Sequence, residues 1–108
     1  MERIRITYAD HNSEIERQLP LDAELVEKVL LEGSPHEWWL VALERSLSHL
    51  GTEFPYALIA SRWEGHSLSG PEPTSAFLLL STSRTLPQRA SVSTFPHAAW
   101  CGVVHCGT

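Results

Sequence analysis

Residues 34–50 read Ser-Pro-His-Glu-Trp-Trp-Leu-Val-Ala-Leu-Glu-Arg-Ser-Leu-Ser-His-Leu, and the reading of this stretch decides the fold. Ser34 suits a helix N-cap, Pro35 the first helical position, and Glu37 stands three residues after the cap to complete a capping box. Trp39, Leu43, Leu47 and Leu50 recur at three- and four-residue steps, the spacing of one buried helical face. The pattern predicts a central helix that ends at Gly51.

Upstream, Asp22 suits the cap of another helix, with Leu25, Val26, Val29 and Leu30 as its apolar stripe. Glu24 and Lys28 form an i,i+4 pair on it. Gly33 stands where a helix C-terminal glycine belongs. The short link Gly33-Ser34-Pro35 then predicts that the two helices pack as a helical hairpin.

The flanks read as strands. Ile4, Ile6 and Tyr8 alternate with Arg3, Arg5 and Thr7, which is strand periodicity. Residues 9–13 carry turn chemistry and 14–19 alternate again, so the first nineteen residues predict a β-hairpin ending at Pro20, with Arg17 marking an edge strand. Tyr56–Trp63 is apolar on both faces, as in a strand buried on both sides. Residues 64–74 form a Gly/Pro/Ser loop, Ala76–Leu80 a partner strand, 81–98 irregular chain, and 100–106 a last short strand. The expected architecture is a single α+β domain over 1–108 in the order ββααββ, with that last strand as an extra one in an antiparallel sheet.

Bulk properties limit the functions. A chain of 108 residues with 43% hydrophobic and 19% charged residues suits one globular domain with a real core. A net charge of −5, with pI near 5.6, argues against a nucleic-acid binder, which would show a basic stripe. Two cysteines, Cys101 and Cys106, make no disulfide framework; reduced thiols in the cytoplasm are the expectation. The charged N-terminus is unlike a signal peptide and no apolar run approaches membrane-spanning length, so no membrane association is expected.

Candidate chemistry is sparse. Gly65-His66-Ser67-Leu68-Ser69-Gly70 resembles the nucleophile elbow of α/β hydrolases, but Ser69 stands where the motif needs glycine. Pro71 and Pro73 also forbid the helix that must follow. His36-Glu37 begins like a zinc-protease motif, yet Leu40 occupies the second histidine's place. The metal candidates are His97, Cys101, His105 and Cys106. On a helix the first three would share a face, whereas a strand, favoured by Gly102, Val103 and Val104, divides the four between two faces; no metal or cofactor is expected. The carboxylate pairs Glu14/Glu16 and Glu24/Glu27 fall on expected exposed faces, as solvating groups.

Two leads concern function. On the expected central helix, Trp38 lies about 140° from the buried face at 100° per residue, and Val41, Arg45 and His49 lie near it. This second stripe is either covered by the sheet, as a middle helix in a small α+β domain often is, or is a partner-binding surface; tryptophan beside arginine is the composition of interface anchors. The other lead is the tail: every Asp and Glu lies at or before Glu72, and the segment beyond is rich in Ser and Thr and holds both cysteines. An acidic folded front and a Ser/Thr/Cys-rich end resemble the leader–core precursors of ribosomally made, modified peptides, lanthipeptides in particular. That resemblance implies a core in about residues 85–108, with Ser91, Ser93, Thr94, Cys101 and Cys106 as the reacting set, although no double-glycine cleavage signal precedes it. The functional expectation is a non-catalytic interaction protein, a small acidic regulator, inhibitor or immunity-type partner that binds another protein. The modified-peptide precursor is the alternative.

Overall fold

A computed structural model describes residues 2–10, 12–63, 68 and 74–107, with only the backbone described at positions 97, 98 and 107. Six antiparallel strands close into a barrel in sequential order: β1 (Arg3–Asp10), β2 (Leu21–Val29), β3 (Trp38–His49), β4 (Thr52–Ser61), β5 (Thr74–Ser81) and β6 (His97–Gly107), with β6 returning to pair with β1. Among the described residues helix is confined to α1 (Ser13–Glu16) and one 3₁₀ turn, Val92–Thr94. The α+β architecture is therefore corrected to a closed β-barrel. The expected helical hairpin is a pair of strands, β2 and β3, and α1 replaces the expected strand at 14–19. Closure pairs every strand on both sides, so Arg17 marks no sheet edge.

Strand β3 escapes sequence reading because both of its faces are apolar. Trp39, Val41 and Leu43 pack with the barrel interior, whereas Trp38 and Leu40 belong to a second cluster outside the wall. Period-two alternation vanishes when neither face is wet. Residues Glu44–Ser46 bow out where the β3–β4 register shifts between Ala42 and Leu47, and this leaves Trp39, Leu43 and Leu47 spaced like a helical stripe. Strand β2 misleads for a related reason. A one-residue bulge shifts its pairing with β3 between Leu25 and Glu27. Leu25 packs inside the barrel, and beyond the bulge Val26 and Val29 pack outside. A face switch by bulge thus produces the 25, 26, 29 spacing of an amphipathic helix.

The apparent helix caps serve turns. Gly33 has φ +80° in the link between β2 and β3. Ser34 Oγ accepts the Trp38 Nε1–H at 2.8 Å and the His36 N–H at 3.4 Å. The residues that would end the central helix, Leu50 and Gly51, instead form a two-residue hairpin turn between His49 and Thr52, with φ of +50° and +82°. Positive φ at both central positions is what a type I′ hairpin turn requires.

The interior holds Ile4, Ile6, Leu21, Ala57, Ile59, Leu78, Leu80 and Val103, with Ile15 of α1 packed against them. Each fully buried Ile, Leu or Val side chain here contributes about 1.5–3 kcal/mol. Outside the wall, Trp38, Leu40, Leu58, Ala60 and Leu79 are covered by Leu31 and by Leu86, Ala90 and Phe95 of the chain linking β5 to β6. That linking strap is fastened to the β2–β3 connection by the Glu32 N–H donating to Ala90 O at 2.8 Å and by a Glu32–Ser91 bridge. No helix among the described residues is long and apolar enough to cross a membrane.

Candidate functional site

The four residues of the expected partner stripe do not share a surface. Trp38 is 1% exposed on the outer side of the wall and Val41 is 0% exposed inside the barrel, because residues three apart on a strand face opposite ways. Arg45 is exposed, and its Nη2 donates to the carbonyls of Gln18 and Pro20 at 2.7 and 3.3 Å. The His49 side chain is only 14% exposed, with Nδ1 3.2 Å from Glu14 Oε1. The contact is not a hydrogen bond. Arg45 thus ties the chain after α1 to β3, and His49 lies against Glu14 of α1. Glu14 and Glu16 fasten α1 to two other elements: Glu14 Oε1 accepts the Leu50 N–H of the β3–β4 turn at 3.1 Å, and Glu16 Oε2 accepts the Ala9 N–H of β1.

The metal candidates are also dispersed. Cys101 lies in the barrel core, where burial pushes its thiol up to about 12. His105 Nε2 stands 3.3 Å from Glu2 Oε2, and Cys106 is an exposed free thiol. The His97 side chain falls outside the described residues, as do His66 and Ser67 of the elbow-like motif. Among the described residues no three His, Cys, Asp or Glu side chains converge as metal ligands.

What the structure assembles instead is a row of aromatic rings running across the strands. Backbone pairing places Trp38 opposite Ala60, Ala60 opposite Phe77, and Phe77 opposite Trp100. The small Ala60 lets the Trp38 and Phe77 rings approach to 6.0 Å across it, and Phe77 packs on Trp100 at 4.4 Å. His36 stands edge-on to Phe77 at 5.0 Å. At the far end the Arg62 guanidinium carbon lies 5.0 Å from the Trp100 ring and 5.1 Å from the Trp63 ring, within the range of cation–π attraction. Trp63 is 56% exposed. At the other end of the row, Ser34, His36, Trp38, Phe77, Leu79 and Val92 line a half-open cavity of about 340 Å³.

Sequence reading paired Trp38 with Arg45 and missed Arg62, Trp63, Phe77 and Trp100. Their association depends on strand register, which is not visible locally. The usable signal was the pair Arg62-Trp63 at the end of an apolar strand.

The chain matches no protein-family model, and comparison with curated proteins and with solved structures finds no match.

Proposed function

We propose that this protein is a non-catalytic interaction module, a small acidic regulator or inhibitor that binds another protein through the ridge formed by Arg62, Trp63 and Trp100. The observation that carries the reading is the exposed tryptophan held against an arginine that also covers a second indole. Tryptophan and arginine dominate interface hot spots because they combine large apolar area with directional polar groups. Rings and guanidinium already arranged before binding lose less side-chain freedom on association. The partner surface thus moves from the stripe 38, 41, 45 and 49 to this ridge.

The non-catalytic part of the reading is supported by what the polar groups do. Glu14, Glu16 and Arg45 fasten α1 and the chain after it, and Asp22 is held by Arg5 at 2.7 Å. The two free thiols support a cytoplasmic site of action. No observation favours the modified-peptide precursor, since excising 85–108 would remove β6, which pairs with both β1 and β5.

A photo-crosslinking residue installed in place of Trp63 in the native host tests the reading, with Leu50, exposed at the β3–β4 turn, as the control position. A discrete adduct from position 63 that is absent from position 50 and lost with Arg62→Ala supports the ridge. No adduct from 63, or the same adduct from both positions, refutes it.

A further inference from the structure

Two exposed apolar side chains lie on one side of the barrel. Leu30, in the link between β2 and β3, is 93% exposed, and Val92, in the strap, is 39% exposed. The bridge between Glu32 and Ser91 fastens link to strap. Leu30 precedes Glu32 by two residues, at most roughly 7 Å of chain, and Val92 follows Ser91 directly. Both therefore border the same fastening.

Their surroundings are complementary. Val92 lines the half-open cavity together with Trp38 and Leu79, which are 1% and 0% exposed. The floor is thus sealed, and the cavity suits a short apolar side chain. Ser34 Oγ already accepts the Trp38 Nε1–H at 2.8 Å, so an occupant requires no hydrogen bond. A leucine side chain is smaller than the benzene ring that a cavity of about 150 Å³ accepts, and it fits within about 340 Å³. Leu30 does not fill the cavity of its own chain, because it stands almost wholly in solvent. It borders a neighbouring depression instead, and His36 lines both that depression and the cavity. The protruding leucine and the unfilled hole are neighbours on one face.

A protrusion and a matching hole side by side are the elements of an isologous contact. A two-fold axis passing between them puts the Leu30 of each copy into the cavity of the other, and the association closes at two. Charged groups bordering the face are already paired within each copy, Lys28 with Glu37 at 3.3 Å and Arg89 with Glu32 at 3.9 Å. We infer that two copies of this chain associate face to face, each inserting Leu30 into the cavity beside Trp38 of the other. Leu30, His36 and Val92 do not belong to the ridge of Arg62, Trp63 and Trp100, so the dimer goes beyond the interaction-module reading and does not depend on it.

Sedimentation equilibrium of the whole chain tests the inference between about 1 µM and about 500 µM, where a small interface of this kind dissociates. The expected result is a shift from the 12.1 kDa monomer to twice that mass. Leu30→Asp, at an exposed position, should raise the dissociation constant at least about tenfold while its NMR spectrum stays folded, and Leu50→Asp should leave it unchanged. Val92→Trp, which fills the mouth of the cavity, should also dissociate the dimer. An equimolar mixture of the Leu30→Asp and Val92→Trp chains retains one leucine and one open cavity, and should associate more tightly than either variant alone. The inference is overturned if the wild-type chain is monomeric at about 500 µM, if Leu30→Asp dimerises as the wild type does, or if Leu50→Asp weakens the dimer equally. It is also overturned if the mixture does no better than the separate variants, or if the mass grows beyond the dimer. A monomeric wild-type chain together with a discrete adduct from position 63 in cells would retain the interaction module and discard the dimer.

Discussion

Replacing Leu50 with asparagine separates the barrel from any helical reading by the sign of its effect. On a helix Leu50 would be the last member of the buried stripe, and a polar residue there would remove a core side chain at a cost of about 2–5 kcal/mol. In the barrel Leu50 is 84% exposed and sits at φ +50° in the hairpin turn before Gly51. Holding a residue with a Cβ in the left-handed region costs about 1–2 kcal/mol, a penalty that asparagine largely escapes by bonding its own backbone. Asn-Gly is also the preferred pair for this turn. Little burial is lost, so Leu50→Asn is expected to stabilise the protein by about 1 kcal/mol. For a domain of this size that raises Tm by about 4 °C. Urea unfolding followed by tryptophan fluorescence measures it, with the midpoint rising at constant slope. A lower midpoint would refute both the turn and the strand assignment of 38–49.

Three further outcomes follow from individual contacts. Burial disfavours the Cys101 thiolate, with a pKa of about 12, so at pH 8 a thiol reagent should modify one cysteine, Cys106, quickly and Cys101 only at the rate of unfolding; two fast equivalents would contradict a filled interior. The hydrogen bond from Arg5 lowers the Asp22 carboxyl below its ordinary value, so its contribution is present above the unfolded carboxylate range and is lost as pH falls through the folded value. Asp22→Asn should therefore flatten the stability–pH curve on the acid side below about pH 4, and identical acid limbs would refute the pairing. A Cβ at Gly102 would run into the Tyr8 ring and come within 2.8 Å of Thr7 Oγ1, so Gly102→Ala should destabilise by about 1–3 kcal/mol. Much of that loss should disappear in a Tyr8→Ala background, and full additivity in the double-mutant cycle would argue against the close approach of β1 and β6.

Much of the strand content was legible where one face is wet or the run is short. Ile4 and Ile6 alternate with arginines, and the apolar runs in β4 and β5 are too short and too flanked by Pro and Gly for helices. The two central strands were not, because a barrel wall coated on the outside by a strap gives apolar residues on both faces, and the bulge at Val26 changes face in midstrand. Ser34, Pro35 and Glu37 are as suited to a strand-linking turn as to a helix start: Ser34 binds the Trp38 indole, and Glu37 Oε1 accepts the Trp39 Nε1–H at 3.1 Å and pairs with Lys28 at 3.3 Å. The candidate site was hidden for a different reason. Trp38, Phe77 and Trp100 are far apart in sequence and meet only through the register of four successive strands.

That register is tested most directly by nuclear Overhauser contacts to the Ala60 methyl group. The barrel predicts contacts from this methyl to the rings of both Trp38 and Phe77, and a further contact between the Phe77 and Trp100 rings. Trp38 ring contacts confined to residues three and four positions along the chain, with none to Ala60, would mean that residues 38–49 are helical and that the aromatic row does not exist.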